Sequence, residues 1–279
     1  MYIRDRPTPR LCCVIASVSG ILYPASLPTF HRFPVPEAIG DLVRWFWIPE
    51  WDIEPGRASR QQLIAFPASN LTVEPEFVSF TGPATRRSHR DLTGKGWAVG
   101  ALLRPAAVPG FTDDPTSLRD TLMLLDLPDL HASIAEAMQG SDADQRRRYA
   151  VELLAEWLAP KLATVTDEGR LANEMVNVIG DDSTVLRVED AAARLSVSSR
   201  TLQRLAKRYV GLPPLALIRR RRLQEAALRV RTEPAADLAA IAAELGYVDQ
   251  AHLTKDFRTV LGFTPHSYRM SRSNDEPAE

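Results

Sequence analysis

The chain has 279 residues, 45% of them hydrophobic, and a net charge of −1. This length suits two ordinary domains, and the hydrophobic content excludes a chain that is disordered throughout. The charge is uneven, since residues 185–273 hold 16 Lys and Arg against 8 Asp and Glu, whereas residues 1–184 hold 18 against 24. This asymmetry predicts a basic C-terminal region that binds a polyanion. A helical domain with a solvated basic face is the alternative.

The first residues carry an apolar segment, Leu11–Leu22, with the chain's two cysteines, Cys12 and Cys13. Adjacent cysteines do not favour a structural disulfide and offer no metal-ligand spacing, so we expect a reducing, cytoplasmic setting. The segment follows arginines as a signal peptide would, but it lacks a small-x-small cleavage site. We expect an N-terminal strand, or residues upstream of the native start. No run approaches the roughly 20 apolar residues that span a bilayer, so no membrane partner is expected.

Residues 1–111 are predicted to form a β-rich regulatory domain. Short apolar runs alternate there with turn residues: LVRWFWIP (42–49), QQLIAFP (61–67), NLTVEPEFVSFTGP (70–83) and GWAVGALLRP (96–105). Such runs favour the strands of a small β-sandwich or barrel. Aromatic residues of this kind are usually core residues. The candidates for lining a ligand pocket are Trp45, Trp47, Trp97 and Arg104.

The apolar periodicity becomes helical after this region, which predicts a connector or dimerisation region over residues 112–182. Three helices are expected, at the recurring Leu118, Leu122 and Leu125, from Tyr149 through VELLAEWLAPKL, and around Leu171–Ile179. The predicted fold class is therefore α+β, with an all-α domain following at residues 183–273 and a loose tail at 274–279.

The C-terminal domain is predicted to contain two helix-turn-helix units. In the first, apolar faces at helical spacing run through VEDAAARL and LQRLAKRY, on either side of a turn at Ser196–Ser198. In the second, DLAAIAAEL begins at the N-cap Asp237 and ends at Gly246, and the helix QAHLTKDFRTVL follows. Each second helix carries basic and amide side chains opposite its apolar stripe, which is the layout of a helix that enters a DNA groove.

One long helix, Pro214–Arg231, is predicted between the two units and begins at its proline. At about 1.5 Å per residue it would span about 27 Å and hold two reading helices near one DNA turn apart. The arginines of Arg219–Arg222 cannot all face one way. Some are expected to bind phosphates and others to pair with acids such as Glu225, with simple solvation as the alternative. The apolar side chains expected to contact both units are Leu215, Ile218, Leu223 and Ala227.

Three segments resemble the DNA-binding domain of AraC/XylS-type transcriptional regulators: AAARLSVSSRTLQRLAKRYVG, RRRRLQEAALRV and LAAIAAELGYVDQAHLTKDFRTVLGFTPHSYR. The last of these follows the family signature almost position for position. Two residues of the first unit depart from the pattern, because Ser196 stands at a turn position that is often Gly and Ala206 replaces a usual large aromatic residue. These departures predict a less rigid first unit.

We expect no catalytic activity, no cofactor and no metal, because the sequence shows no grouped titratable residues and no metal-ligand motif. The resemblance implies a sequence-specific DNA-binding transcriptional regulator with double-stranded DNA as its partner. It implies base contacts at Arg200, Gln203 and Arg204 in the first unit and at Gln250, Thr254 and Lys255 in the second. The chemistry agrees, since Arg binds guanine O6 and N7, Gln pairs with adenine and Thr contacts the thymine methyl group. The phosphate contacts are expected at Ser198, Lys207, His252 and Arg258.

The N-terminal half resembles, less specifically, a β-rich domain of a subset of these regulators, through PVPEAIGDLVRWFW, LIAFPASNLTVE, TGPATR and VGALLRPAAVPGF. By analogy it senses a small-molecule effector or forms a homodimer; in most family members this domain resembles a cupin barrel. A contact with RNA polymerase is also compatible with the family. Two alternatives stay open, a protein-partner adaptor and an N-terminal enzyme or metal-binding domain. Scattered histidines (His31, His89 and His131) and the lack of nucleotide-binding or hydrolase motifs give the second little support.

Overall fold

A computed structural model describes residues 29–63, 67–233 and 235–270. The segment around Cys12 and Cys13, the end of the strand predicted at 61–67 and the tail at 274–279 lie outside these residues. Their predictions are not tested by the structure.

The first half of the described chain is an antiparallel β-structure. Its strands are Thr29–Phe33 (β1), Val43–Asp52 (β2), Ala58–Leu63 (β3), Asn70–Val73 (β4), Val78–Thr81 (β5), Ser88–Thr93 (β6), Lys95–Trp97 (β7), Val99–Leu103 (β8) and Leu122–Leu125 (β9). The main sheet has the order β1-β2-β8-β4-β5-β9, with β7 paired to β2, and β3 and β6 form a separate ribbon. Trp47 lies opposite Gly100 in this sheet, and its ring occupies the space that a Cβ at Gly100 would need. The predicted β-rich region is thus confirmed.

The helix predicted at Leu118, Leu122 and Leu125 is wrong. Leu122–Leu125 forms strand β9 and pairs antiparallel with β5, with Leu122 opposite Thr81 and Leu125 opposite Val78. The pairing with a strand far away in sequence overrides the helical spacing of these leucines, which is a weak local signal in so short a segment. β9 lies at the end of the hydrogen-bonded order, which makes it an edge strand.

The second half of the chain is helical. Its α-helices are Pro128–Ala137 (α1), Ala143–Leu158 (α2), Asp167–Asp181 (α3), Val188–Arg194 (α4), Ser199–Tyr209 (α5), Pro214–Thr232 (α6), Leu238–Glu244 (α7), Gln250–Asp256 (α8) and Pro265–Met270 (α9). A π-helical turn, Phe257–Leu261, continues α8. Short 3₁₀ segments lie at Glu37–Ile39, Pro105–Gly110 and Ala159–Thr164. The predicted α+β fold class, with two helix-turn-helix units in the second half, is confirmed.

Three apolar clusters organise the molecule. In the first, α1 and α2 pack on the sheet, with Ile134 and Leu154 fully buried beside Phe46 and Phe80. The second joins α3, α4, α5 and the start of α6. The third joins the rest of α6 to α7, α8, the π-helical turn and α9. Helix α6 therefore takes part in the cores of both helix-turn-helix units.

The predicted strut between the units is confirmed in α6, which begins at the expected Pro214. Ile218 belongs to the core of the first unit, and Leu223 and Ala227 belong to the core of the second. Leu215 does not fulfil its predicted role, because 55% of it is exposed. It lies on the side of the first turn that faces away from both units.

Helix α3 is attached to both halves of the chain. Its Met175 and Ile179 are buried in the core of the first helix-turn-helix unit. Its Asn173 side chain accepts a hydrogen bond from the Ala106 backbone N–H and donates one to the Asp41 carbonyl, both at 2.9 Å. This packing favours a boundary of the helical domain before α3, and the predicted division between 112–182 and 183–273 stays a prediction.

A second junction lies at Gly211, which follows α5. This glycine has a φ of 81°, and a Cβ there would lie 2.5 Å from the Pro115 carbonyl oxygen. The Arg119 guanidinium donates a hydrogen bond to the Gly211 carbonyl. The turn that ends α5 is therefore in direct contact with the loop before β9.

Candidate nucleic-acid interface

The first helix-turn-helix unit consists of α4, a tight turn and α5. Asp190 starts α4 by accepting hydrogen bonds from the Leu186 and Arg187 backbone N–H groups. Ser196 adopts a left-handed conformation in the turn, with a φ of 54°, which explains why glycine suits this position. Ser198 then caps α5, because its hydroxyl accepts a hydrogen bond of 3.1 Å from the Thr201 N–H.

The buried stripe of α5 matches the sequence pattern, with Leu202, Leu205, Ala206 and Tyr209 all buried. The opposite face is exposed and carries the residues predicted to contact DNA: Arg200, Gln203, Arg204 and Lys207. Arg204 donates a hydrogen bond to the Glu168 carboxylate of α3, and Arg208 donates one of 2.9 Å to the same carboxylate. Sequence reasoning missed Glu168 and Arg208, because nothing in the local pattern links α3 to a helix more than thirty residues later.

The second unit consists of α7, a turn at Gly246 and α8. Asp237 caps α7 as predicted, accepting from the Ala239 N–H at 3.0 Å. Gly246 has a φ of 71°, which a residue with a Cβ adopts only with strain. Asp249 caps α8, with its carboxylate 2.7 Å from the His252 N–H. The capped turn fixes the direction in which α8 projects.

One open surface of α8 gathers most of the predicted contacts of the second unit. Its lining residues are Gln250, Ala251, Thr254, Lys255, Arg258 and Thr259. Gln250, Lys255 and Arg258 are exposed and Thr254 is half-buried, while Leu253, Phe257, Val260 and Leu261 are buried behind them. Amide, hydroxyl and cationic groups therefore lie together on a helix whose other face is held by the core.

The predicted phosphate contacts have different surroundings. Lys207 and Arg258 are exposed on the two reading faces. The Ser198 hydroxyl lies at the N-terminus of α5, where it is engaged as the helix cap. The exposed His252 has its ring edge-on to Tyr247, with 5.3 Å between the ring centroids.

The run Arg219–Arg222 is mainly structural. Arg220, Arg221 and Arg222 are each at least 91% buried as residues, and burial lowers the pKa of Arg220 to about 10. Arg221 pairs with Glu225 at 3.1 Å, as the sequence suggested, and donates a hydrogen bond to the Val185 carbonyl. The Arg222 guanidinium stacks 4.3 Å from the centroid of the Tyr247 ring. The expectation that some of this run clamps phosphates is therefore not met by these three.

Arg219 has the most specific partner of the run. Its guanidinium donates two hydrogen bonds to Asp256 at the end of α8, and Asp256 is fully buried. The hydrogen bonds to Asp256 raise the pKa of Arg219 despite some desolvation. Sequence reasoning missed this pair, although a signal existed, since Asp256 lies three residues after Leu253 on the buried face of α8.

A cavity of about 140 Å³ lies where the sheet meets the helices. From the N-terminal half it is lined by Arg44, Trp45, Leu102, Leu103 and Arg104, among others, and from the helices by Asn173, Asn177, Asp181, Arg220 and Arg221. Of the candidate pocket residues named from the sequence, Trp45 and Arg104 line this cavity. Trp47 and Trp97 are not among its lining residues.

Two helix-turn-helix units, each presenting a polar and basic helix face and joined by one shared helix, define a DNA-binding protein. A helix-turn-helix domain model matches residues 191–271, and a model for a domain of unknown function, DUF6597, matches residues 31–122. The second match covers most of the β-structure described above.

Curated transcriptional regulators match parts of the chain. The HTH-type transcriptional activator AarP of Providencia stuartii is 32% identical over 97 residues, which are 35% of this chain and 71% of AarP. A putative AraC-like transcription regulator of Streptomyces antibioticus is 39% identical over 82 residues, 29% of this chain and 27% of the relative. The chain belongs to the AraC family of helix-turn-helix transcriptional regulators. It nevertheless spans only about a third of the length of several curated relatives that it matches, such as 35% of an uncharacterised Haemophilus influenzae regulator.

Among solved structures, ToxT from Vibrio cholerae O395 aligns over 86% of this chain and 95% of its own, at 11% identity and a TM-score of 0.38. Among the helices in the described part of the chain, none has the length and apolar character needed to cross a membrane. Within the same described ranges, no group of three or more His, Cys, Asp or Glu residues could hold a metal ion.

Proposed function

We propose that this AraC-family regulator reads DNA with α5 and α8 and that a small molecule bound at the sheet–helix junction modulates it. The base contacts are Arg200, Gln203 and Arg204 on α5, and Gln250, Thr254 and Lys255 on α8. The phosphate contacts are Ser198, Lys207, His252 and Arg258. The observation that supports this assignment is the exposure of both polar helix faces on units that share α6 as a common core element.

Selection from a random duplex pool with the purified chain tests the DNA-binding function. We expect one sequence to be enriched and to stay bound in the presence of competitor DNA. Base contacts determine the sequence preference, whereas phosphate contacts only position the protein on the duplex. Enrichment of no sequence would favour the alternative of a protein-partner adaptor.

Alanine variants test the two reading helices. Gln250→Ala or Arg200→Ala is expected to weaken binding to the selected site by about 1–3 kcal/mol and to relax the preference at one base position. Gln145→Ala and Arg148→Ala are matched controls, because both residues are exposed on α2. Equal effects of the reading-face variants and the controls would reject the assignment.

Salt dependence tests the phosphate contacts separately. Lys207→Ala is expected to weaken binding to all sequences alike and to reduce the slope of log K against log salt by about 0.9. Lys95→Ala on β7 is the control, since Lys95 is an exposed lysine of the N-terminal half. An unchanged slope for Lys207→Ala would remove Lys207 from the phosphate contacts.

The cavity at the sheet–helix junction supports a small-molecule effector. Its volume of about 140 Å³ is similar to that of protein cavities that bind a molecule the size of benzene. Arg44, Arg104, Arg220 and Arg221 line it together with one acidic residue, Asp181, and with apolar side chains. This lining favours a small anion with an apolar body.

Thermal unfolding with short carboxylates, from butyrate to hexanoate, tests this effector class beside the corresponding amides. A carboxylate at about a hundredfold excess over its Kd should add about 2.7 kcal/mol to the free energy of unfolding, and the amide should not. Arg104→Gln should abolish the effect, and Arg148→Gln on the exposed side of α2 should not. No stabilisation by any carboxylate would argue against an anionic effector of this size.

A further inference from the structure

Glu168 lies in the first turn of α3 and is the meeting point of three side chains from α5. Its carboxylate accepts hydrogen bonds from Arg204, from Arg208 at 2.9 Å and from the Tyr209 hydroxyl at 3.1 Å. Thr166 caps α3 by accepting from the Gly169 N–H at 3.1 Å, which fixes the start of the helix and the position of Glu168. A single acid thus holds two cations beside the predicted reading face.

These ion pairs contribute little to holding α3 against α5. The Arg204 and Arg208 side chains are each 58% exposed, and the Glu168 side chain is 25% exposed. Exposed pairs of this kind stabilise a fold by only about 0.2–1 kcal/mol. The fully buried Met175 of α3 and Leu202 of α5 already join the two helices in one core. The two ion pairs are therefore a minor part of the packing between α3 and α5.

Guanine and phosphate present the same kind of acceptor that Glu168 presents. Arg204 reads guanine by directing two N–H groups at O6 and N7, and a guanidinium has a fixed fork of donors. The bond to Glu168 uses Arg204 Nη1, so this contact occupies part of the donor set that would meet a base. The Glu168 carboxylate would also lie near the DNA phosphates, which are of the same charge.

We propose that Glu168 is an autoinhibitory contact that competes with DNA for Arg204 and Arg208. The proposal rests on the proposed function, since it requires Arg204 to contact DNA. In the form without DNA, Glu168 holds both arginines. In the DNA-bound form Arg204 contacts a base and Arg208 contacts the DNA backbone.

Helix α3 connects this contact to the N-terminal half. Asn173 bonds to Ala106 and Asp41 backbone groups, and the Arg170 guanidinium lies 3.1 Å from the Asp41 carboxylate. Helix α3 lines the sheet–helix cavity through Asn173, Asn177 and Asp181. A ligand that shifts α3 relative to α5 would therefore move Glu168 away from the arginines.

The test measures affinity for the duplex selected by the wild-type full chain, with three variants. Glu168→Gln removes the charge and keeps the length, and Glu168→Asp keeps the charge and shortens the side chain. Asp167→Asn is the matched control, because it makes the same charge change one residue away on a side chain that is fully exposed and pairs only locally with Arg170. Glu168→Gln should bind about fivefold tighter than Asp167→Asn, and Glu168→Asp, which keeps the charge, about fivefold tighter than the wild type, from the release of two exposed ion pairs.

A second readout separates release of the arginines from a general electrostatic effect. In a chain that also carries Arg204→Ala and Arg208→Ala, the gain from Glu168→Gln should disappear, whereas a general charge effect would persist. Circular dichroism checks that the Glu168 variants are folded. If Glu168→Gln does not fold, the affinity of Glu168→Asp alone tests the autoinhibitory contact.

The outcomes distinguish the two proposals. The autoinhibitory contact alone would be overturned if Glu168→Gln bound no tighter than Asp167→Asn and Glu168→Asp no tighter than the wild type. A gain that persists without the two arginines would overturn it as well. Failure of the wild type and every variant to bind any duplex would overturn the proposed function together with it.

Discussion

Asp256 is a fully buried acid at the point where α8 passes into its π-helical turn. Its partner Arg219 comes from α6, so the pair connects the second reading helix to the strut. Removing one member of a buried pair is more costly than the pair is worth, because a buried charge is left without compensation. At the scale of single residues, this pair is a polar constraint on the orientation of α8, in addition to the Asp249 cap.

We predict that Arg219→Met destabilises the protein by about 2–3 kcal/mol, less than for a fully buried pair because Arg219 is half-exposed. The methionine keeps the apolar stem and removes only the charge and its hydrogen bonds. Chemical denaturation measures the change, with Arg148→Met at an exposed position of α2 as the control. A loss no greater than that of the control would show that the contact between Arg219 and Asp256 does not stabilise the folded chain.

At Ser196 we predict a substitution that stabilises the protein. The Ser196 φ of 54° lies in the left-handed region, where a residue with a Cβ is strained by about 1–2 kcal/mol. Ser196→Gly should therefore raise the free energy of unfolding by about 0.5–1 kcal/mol, after the larger chain entropy of glycine is subtracted. The same change at Ser199, the first residue of α5, should destabilise the protein, because glycine loses more chain entropy on folding. A change of the same sign at both serines would contradict the argument.

At the scale of elements, helix α2 is attached to the sheet by an ionic contact. Arg146 and Arg147 of α2 both donate hydrogen bonds to Glu50 of β2. Burial would raise the pKa of Glu50, but the hydrogen bonds and charges of the two arginines outweigh burial and lower it. Since the folded-state pKa is depressed, the contribution is present above the ordinary glutamate value and is lost as the pH falls through the folded-state value.

We predict that the wild type loses stability as the pH falls below about 4.5 and that Glu50→Gln loses less over the same window. At neutral pH the variant should be less stable by about 1.5–3 kcal/mol, the range for hydrogen bonds to a charged group. Denaturation curves at several pH values measure both effects. Parallel curves for the two proteins would exclude Glu50 as a source of the acid sensitivity.

The helices with strong start and stop signals could be predicted from the sequence. Helix α6 begins at its proline, and both reading helices follow turns whose Ser196 and Gly246 adopt the left-handed backbone. Strand β9 could not be predicted, because its partner β5 is distant and its leucines also fit a helical spacing. The exposed faces of the candidate site followed from periodicity. The contact of Glu168 with α5 depends on how α3 packs, which no local pattern specifies.

At the scale of the whole molecule, α3 determines where the helical half can be separated from the rest. Ala172, Met175 and Ile179 are buried against α4 and α5, and burial of each larger side chain is worth about 1.5–3 kcal/mol. Without α3, the first helix-turn-helix unit would expose one side of its core.

We predict that a fragment of residues 165–273 unfolds cooperatively and that a fragment of residues 183–273 does not. The loss of α3 removes about 3–6 kcal/mol of apolar burial, which is comparable to the total stability of a small domain. Thermal melts followed by circular dichroism compare the two fragments, with the full chain as reference. Equal cooperativity would place the domain boundary after α3.

The conformation and close packing of Gly211 predict which mutant alleles a genetic screen will find. The left-handed backbone of this glycine ends α5, and its lack of a side chain lets the Pro115 loop of the N-terminal half approach. Replacing it would disturb the reading helix and the joint between the halves in one step. Mutant screens should therefore yield only fully defective alleles at this codon, whereas alleles that bind DNA but have escaped control are to be sought at the codon for Glu168.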